Sequence, residues 1–479
     1  MHKDKMLERT PDIAAMVDYW DLSDTLVDGI QAMRAAGEKF LPKFPAEDSA
    51  DYDFRLKHTT VMTNIFADIV ETLASKPFEK EVALVEDSVS EQMKSFANNV
   101  DGDGNNLTVF ASNHFYNAIK SGVDWLWVDY PEVDDSVRTV ADMKARNIRP
   151  YWTTVLGRNV LQCTTIFNGA ERVINFIRML EPGKPDRIRE MSREGNVVTW
   201  SLYVKTDKWN EETETYFVLE KTGTLGIDEI PLVPFFTGRR SGNSFKFDAP
   251  LKSAADLQEH LYRAETRFEH IKTVAGYPML SASGVKPVLD AQQNPLPIKR
   301  GPNTVLYAPP NADGGHGDWK YVEPTGNNLM FLQKDIDTLI LNLRELGRQP
   351  LTASSSNLTT VTTAFAAGKS KSAVKAWAML LKDSLENAFR LTAKWMRVTE
   401  TITVNVYTEF DDFADGKDYD ALTAAFGAGA ISWQTYVEEL KRRGLLSSNF
   451  TVERERERLL EDIPSGDGED LNTEGMIDA

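Results

Sequence analysis

Apolar residues recur at helical spacing over most of this chain and alternate with polar ones in one block near its middle. Ile13, Met16, Val17 and Trp20 share a stripe that Leu22, Leu26 and Ile30 continue, which predicts helix over 12–40. Phe40-Leu41-Pro42-Lys43-Phe44-Pro45 ends it, because proline cannot continue a helix. Ile65, Ile69 and Leu73 predict a second helix over 49–75, closed before Pro77. Residues 88–122 read as helix in two pieces, divided by Asp101-Gly102-Asp103-Gly104-Asn105-Asn106. Val123 to Val128, then Asp129-Tyr130-Pro131, reads as a strand closed by proline.

From Pro150 to about Pro234 the period changes to two. Val197 to Val204 and Glu214 to Leu219 are β-rich runs separated by turns, which predicts an antiparallel sheet. Helix returns at 252–275, with Leu257, Leu261, Ala264, Phe268 and Ile271 on one face. Residues 276–326 are rich in Pro, Gly and Asn with short β runs such as Thr304-Val305-Leu306-Tyr307. A helix at 327–346 carries Ile336, Leu339, Ile340, Leu343 and Leu346 on one face. Gly347-Arg348-Gln349-Pro350 and the polar loop Thr352-Ala353-Ser354-Ser355-Ser356-Asn357 follow. Residues 358–398 hold no proline and predict one very long helix, weakened at Gly368, where glycine costs about 1 kcal/mol. A β run at 401–407 and a helical module at 418–462 come next. The last residues, 463–479, have no Lys or Arg and are expected to be disordered. The pattern as a whole predicts an α+β chain, mainly helical, of two to four subdomains.

Charge narrows the function. The chain has 479 residues, 54 Lys plus Arg against 72 Asp plus Glu, and a net charge of −18. Affinity for duplex nucleic acid comes mainly from neutralising phosphates, so contact with DNA has to be local or slippery. The single cysteine, Cys163, precludes an intrachain disulfide, fits a reducing compartment and reads as a buried small hydrophobe on a strand. Met1-His2-Lys3-Asp4-Lys5 lacks the apolar core of a signal peptide, and no apolar run approaches bilayer length. A soluble intracellular protein without membrane contact is the expectation.

Catalytic motifs fail on their geometry. Gly368-Lys369-Ser370 resembles the end of a phosphate-binding loop, but Thr363 stands where the first glycine must be, and the segment is helical. Asp101, Asp103 and Asn105 resemble a calcium loop, but Asn106 and Ser112 replace its glycine and its bidentate Glu. His2, His58, His114, His260, His270 and His316 show no metal-ligand spacing. Asp129 is a candidate carboxylate better read as a strand-end turn. No serine sits in a nucleophile elbow. No catalytic residue, metal or cofactor is therefore expected, and an enzyme of dispersed residues, a nuclease or hydrolase, is a remaining alternative.

Two charge patterns stand out. From 359 to 398 the long helix holds Lys369, Lys371, Lys375, Lys382, Arg390, Lys394 and Arg397 against Asp383 and Glu386. Its readings are a solvated face, an interface with an acidic neighbouring subunit, or DNA contact. Glu453-Arg454-Glu455-Arg456-Glu457-Arg458 gives opposite charges three apart on a helix, a solvated pattern worth a few tenths of a kcal/mol per pair.

The order of these blocks resembles the portal proteins of tailed bacteriophages, in the branch catalogued as a family of unknown function. The resemblance is carried by Phe40-Leu41-Pro42, Tyr52, Arg55 and Lys76-Pro77-Phe78, then by Gly122 through Pro131. Arg149-Pro150-Tyr151-Trp152 and Ile230-Pro231-Leu232-Val233-Pro234-Phe235 follow, then Tyr321-Val322-Glu323-Pro324 to Gly326 and Leu346-Gly347. Gly429-Ala430-Ile431-Ser432-Trp433-Gln434-Thr435-Tyr436 with Arg443-Gly444 completes the set. No one phrase is diagnostic; the ordered set is fairly specific.

The resemblance implies a portal-type fold. Residues 1–250 would be the wing, 252–275 a stem helix, 276–326 the clip and 327–347 the second stem helix. Residues 348–357 would be the tunnel loop, 358–417 the long wing helix and β run, and 418–462 the crown. It implies a dodecameric ring of this chain at one capsid vertex of a virion, assembled in the host cytoplasm. Its partners would be the terminase large subunit, a head-to-tail adaptor, the major capsid protein and double-stranded DNA read without sequence specificity. Another virion structural or adaptor protein is the nearer alternative. Arg348, Gln349, Thr352, Ser354, Ser355, Ser356 and Asn357 would face DNA; the resemblance implies no role for the lysines at 369 and 371, and Lys369, Lys371 and Lys375 are candidates for a basic interface from their charge alone. A conduit must not grip DNA, and an acidic lumen with polar side chains keeps contact weak.

Overall fold

The computed structural model describes residues 4–85, 89–132, 140–242, 244–275, 279–285, 292, 317–322, 327–347, 360–408 and 416–442. It falls into two compact units, Met1–Thr408 and Glu409–Ala479. The architecture is α+β, with mixed helices and antiparallel sheets.

The first unit opens with helices α1 (Pro11–Ala14), α2 (Val17–Asp28) and α3 (Ile30–Ala36), so the stripe predicted over 12–40 is broken at Met16 and Gly29. The helix expected over 49–75 is likewise two, α4 (Ser49–Phe54) and α5 (Ile65–Ser75), joined by a π turn at Arg55–Thr59. The break has a local cause. The Thr59 and Thr60 hydroxyls donate back to Arg55 O and Leu56 O, and Asn64 starts a new helix by accepting from Ala67 N. The two-residue strand β1 (Ala83–Leu84) and helices α6 (Glu91–Ala97) and α7 (Leu107–Ser121) come next. The acidic turn between α6 and α7 satisfies itself. Asp101 accepts from the amides of Asp103 and Asn105, and Asn99 from those of Gly102 and Gly104.

Strand β2 (Val123–Asp129) leaves α7 through Gly122, whose φ of +84° and lack of a side chain admit the Phe247 ring. After helix α8 (Val140–Ala145), strands β3 (Tyr151–Leu156), β4 (Val160–Asn168), β5 (Glu171–Glu181), β6 (Lys184–Glu194), β7 (Val197–Asn210), β8 (Thr215–Thr224) and β9 (Leu232–Phe236) follow. They form two antiparallel sheets, β3-β2-β9 and β4-β5-β6-β7-β8. The β-rich block expected from the period-two pattern is this pair. Cys163 is buried on β4, and burial pushes its thiol pKa up. Short strands β10 (Arg239–Arg240) and β11 (Phe247–Asp248) pair with each other.

Helix α9 (Lys252–Ala275), the paired strands β12 (Met279–Ser283) and β13 (Asp318–Val322), helix α10 (Asn327–Leu346) and helix α11 (Thr360–Met396) complete the frame. Helix α11 runs through Gly368 without interruption. Of the β run expected at 401–407, only β14 (Val404–Asn405) is a strand, paired with β1. The second unit contains α12 (Gly416–Gly427) and α13 (Trp433–Arg442), with Phe426 stacked on Tyr436 at 4.8 Å. Ser432 caps α13 by accepting from Thr435 N. The Glu/Arg run at 453–458, the acidic tail, the run Thr304 to Tyr307 and Gly368's side of the long-helix charge pattern at 369–371 lie outside the described residues or side chains.

The core of the first unit centres on Trp152, which is fully buried. Its ring meets Phe96, Phe110 and Phe389 edge-on at 5.4, 5.5 and 4.8 Å, and its indole N–H donates to Thr392 Oγ1 at 2.8 Å. One side chain thus joins β3 to α6, α7 and α11. Trp152→Ala is expected to lower stability by about 3–5 kcal/mol, read as a shift in the denaturant midpoint.

Candidate functional site

Helices α9 and α10 form an antiparallel hairpin because opposite ends of the two reach the same helix, α5. Near the start of α9, Gln258 is completely buried. Its Oε1 accepts from the amides of Ile65 and Phe66, each at 3.0 Å, and its Nε2 donates to Thr63 O at 2.9 Å. Glu265, two turns on, accepts from Thr63 N at 2.8 Å. Asn64 is the N-cap of α5, and the first amides of the helix, from Ile65 on, have no partner within it. With Asn64 accepting from Ala67 N, those donors are satisfied, two of them by a side chain from another helix. The positive end of the α5 dipole also lies against Glu265.

The end of α10 closes on α5 at Gly347. A Cβ there would stand 2.2 Å from Ile69 Cδ1, so only glycine allows this approach. The strands β12 and β13 pair between the far ends of the two helices. The hairpin is therefore a strut rooted at α5 and tipped by a small antiparallel sheet.

The α9 face that packs inward includes Ala254, Ala255, Gln258, Leu261, Tyr262, Glu265 and Thr266. The apolar stripe predicted the helix, but of its five residues Leu261 alone is fully buried. Polar Gln258 and Glu265 gave no signal of burial, since their partners lie some two hundred residues away. On α10, Ile336, Leu339 and Leu343 are buried as expected, whereas Leu346 is exposed. Met330 and Phe331 at its start are 74% and 73% exposed.

The basic character of α11 has an internal explanation over its second half. Arg390 makes two contacts with Glu229, at 2.5 and 3.0 Å, and Lys394 binds Asp228 at 3.0 Å and also Glu229. Lys382 is 3.8 Å from Glu386 one turn on. These cations are balanced by the chain's own acids, so no neighbouring subunit is required to explain them. Lys375 is exposed, and Lys369 and Lys371 lie where the backbone alone is described. The expected DNA-facing residues Arg348, Gln349, Thr352, Ser354, Ser355, Ser356 and Asn357 fall outside the described residues.

Two carboxyl groups elsewhere have chemical interest. Asp124 and His114 are both completely buried, with Oδ2 2.8 Å from Nδ1 and Asn117 Nδ2 at 3.3 Å. Burial pushes the Asp124 carboxyl up against the pull of His114. The pair is sealed beneath Phe110 and Phe235 and ties α7 to β2. Asp129 ends β2, accepts from Tyr151 OH at 2.7 Å and lines a cleft of about 980 Å³. Burial also raises its pKa, outweighing the Tyr151 hydrogen bond. Among the described residues no group of His, Cys, Asp and Glu could hold a metal ion, and no helix is long and apolar enough to cross a membrane.

The family described as "Domain of unknown function (DUF4055)" matches residues 250–396, a range that begins just before α9 and ends with α11. No curated protein matches the chain. Among solved structures, it is similar to a chain in the neck of a native gene transfer agent (GTA) particle computed with C12 symmetry. That match has 12% identity and a TM-score of 0.40, covering 78% of this chain and 88% of the other. A chain of the native GTA virion matches at 11% and 0.39, covering 76% and 86%. A chain in the neck of an empty GTA particle computed with C6 symmetry matches at 12% and 0.42, covering 80% and 90%.

Two outcomes test this site. Gln258→Leu removes three hydrogen bonds, leaving the Phe66 amide without its side-chain acceptor and the Ile65 amide with Thr63 O alone. It is expected to cost at least about 2 kcal/mol and to speed hydrogen exchange at those amides. Glu229 is pushed up by burial, but Arg390 and Lys394 outweigh this and hold its carboxyl below the usual range. A depressed carboxylate stabilises fully above its unfolded pKa, about 4.3, and loses that contribution as pH falls through the folded value. The stability difference between wild type and Arg390→Gln should be constant above about pH 5 and vanish towards lower pH, with a plateau of at most about 1 kcal/mol because Arg390 is half exposed.

Proposed function

We propose that this chain is a portal protein, a non-enzymatic ring at one capsid vertex through which DNA is packaged and ejected. The observation that carries this reading is the rooted hairpin of α9 and α10, tipped by β12–β13 and followed in sequence by the long helix α11. It supports the reading because the same order of blocks underlies the resemblance of the sequence to bacteriophage portals. A strut with a loop after it offers a polar surface to a passing duplex without chemistry. The segment 348–357, between α10 and α11, is the DNA-facing loop, and its serines and asparagine donate to phosphates without adding fixed charge.

Ring assembly accounts for apolar surface that one copy leaves open. Met330 and Phe331 on α10, and Met379 and Leu380 on α11, are exposed and form part of the surfaces that neighbouring copies cover. The β12–β13 tip serves as the docking point for the packaging motor and later the tail adaptor. The partners are those of the family: the terminase large subunit, the adaptor and the major capsid protein, in a dodecameric ring. Lys375, exposed on α11, belongs with Lys369 and Lys371 to a basic interface between copies.

Negative-stain images and native mass of the purified full chain, alone and with residues 352–357 deleted, test the reading. Both are expected to give rings with a central channel, and the deletion is expected to impair DNA packaging or retention. A monomer under all conditions overturns the portal reading, and normal packaging by the deletion overturns the loop's role.

A further inference from the structure

The cleft of about 980 Å³ that Asp129 lines lies between the ends of β2 and β3, one face of β6–β8 and the end of α11. Strand register builds one wall. Leu202 pairs with both Arg189 and Lys221, and Trp200 pairs with Gly223, so Arg189, Trp200, Leu202 and Lys221 share a face. A Cβ at position 223 would stand 3.0 Å from Trp200 Nε1, so glycine there gives the indole room to lie across β8. The Arg189 guanidinium lies 4.6 Å from the Trp200 ring and 5.8 Å from that of Trp127 on β2. Tyr130 and Trp395 add a second aromatic surface to the lining, stacked at 5.1 Å. The charges of the cleft neutralise one another. Arg189 donates from Nε, at 2.9 Å, and from Nη2, at 2.5 Å, to one oxygen, Oε1 of the buried Glu181. Lys221 pairs with Glu132 at 2.7 Å, and the described lining holds as many acids as bases. What stays open is directional rather than charged. Among the described residues nothing hydrogen-bonds Arg189 Nη1, Glu181 Oε2 or Trp200 Nε1.

We propose that this cleft is a binding site for a neutral saccharide, an inference that does not rest on the ring reading above. A hydroxyl both donates and accepts, so neighbouring hydroxyls of one sugar ring can donate to Glu181 Oε2 and accept from Arg189 Nη1 and Trp200 Nε1. A cation uses only the acceptor and meets Arg189 as a like charge; an anion uses only the donors and meets Glu181 as one. The flat C–H face of a sugar buries apolar area against an indole or phenol ring, which supplies affinity, while the fixed polar groups set its orientation. Arg189 is already held by Glu181 and two indoles, so it loses little freedom when a ligand binds. The volume is that of a site for a ligand of drug-like size, which suits a short oligosaccharide.

Calorimetric titration of the full chain with maltotriose, triacetylchitotriose and lactose tests the site, with tryptophan fluorescence as a second readout because Trp127, Trp200 and Trp395 line the cleft. Saturable binding of at least one of them is expected, unchanged between low salt and about 1 M NaCl because the ligand carries no charge. Trp200 is half-buried, so its variants should fold, which the unfolding midpoint checks. Trp200→Ala, which removes the ring, should weaken binding about tenfold or more. Trp200→Phe, which keeps a ring without its N–H, should weaken it less. No binding of any of the three by the wild-type chain up to about 20 mM overturns the site, whatever the variants do. Saccharide binding that neither Trp200 variant weakens lies elsewhere and also overturns it. Trp200-dependent binding of propylamine or malonate in place of the saccharides, fading as NaCl increases, assigns the cleft to an ion and overturns the neutral ligand. Trp200-dependent binding of triglycine alone assigns it to a peptide and overturns the saccharide.

Discussion

The strut stands on the satisfied N-terminus of α5. A helix start buried in a protein leaves amides that must find acceptors, and here α9 supplies them through Gln258 while Glu265 fixes the residue just before. Each of these side chains is buried, so an alternative packing of α9 would expose unpaired donors and acceptors in an apolar setting. That asymmetry makes the joint directional: the hairpin leaves the body at one angle and one register. Gly347 sets the second point of attachment by allowing α10 to touch Ile69. Two attachments on a single helix give a lever with a defined root.

Helix α11 carries the connection further into the body. Trp152 places the indole of β3 against Phe389 and Thr392 of α11, while Arg390 and Lys394 hold the opposite side to Asp228 and Glu229. The apolar tie supplies most of the energy, and the half-exposed ion pairs supply orientation more than stability. Force applied along α11 would thus be transmitted to β3 and to the segment before β9. Among the described residues, His114 with Asp124 joins α7 to β2, and Tyr151 with Asp129 joins β3 to β2.

Periodicity located most elements: α7, β2, the β4–β8 sheet, α9, α10 and α11 lie where the apolar spacing puts them. It overran the breaks at Gly29 and at residues 55–64, because threonine hydroxyls bonding back to the chain and an Asn cap leave the apolar pattern unchanged. On α9 it located only part of the inward face, since Leu261 of the stripe is fully buried and the other four are half-buried. Leu257, Leu261, Ala264, Phe268 and Ile271 made the stripe, and beside Leu261 the helix also turns Gln258, Glu265 and Thr266 inward. Burial of a polar residue depends on its partner, and the partner is distant in sequence.

The amino-acid sequence by itself determined the kind of element at each place, the overall acidity, the absence of a disulfide and the failure of each catalytic motif, because all of these are local or summed properties. Tertiary structure alone decided which polar residues became joints, why the second half of α11 is basic, and that Arg189 meets both Trp127 and Trp200 in one cleft. Those outcomes depend on pairs far apart along the chain, and burial, charge balance and hydrogen-bond satisfaction take their values only once such pairs meet.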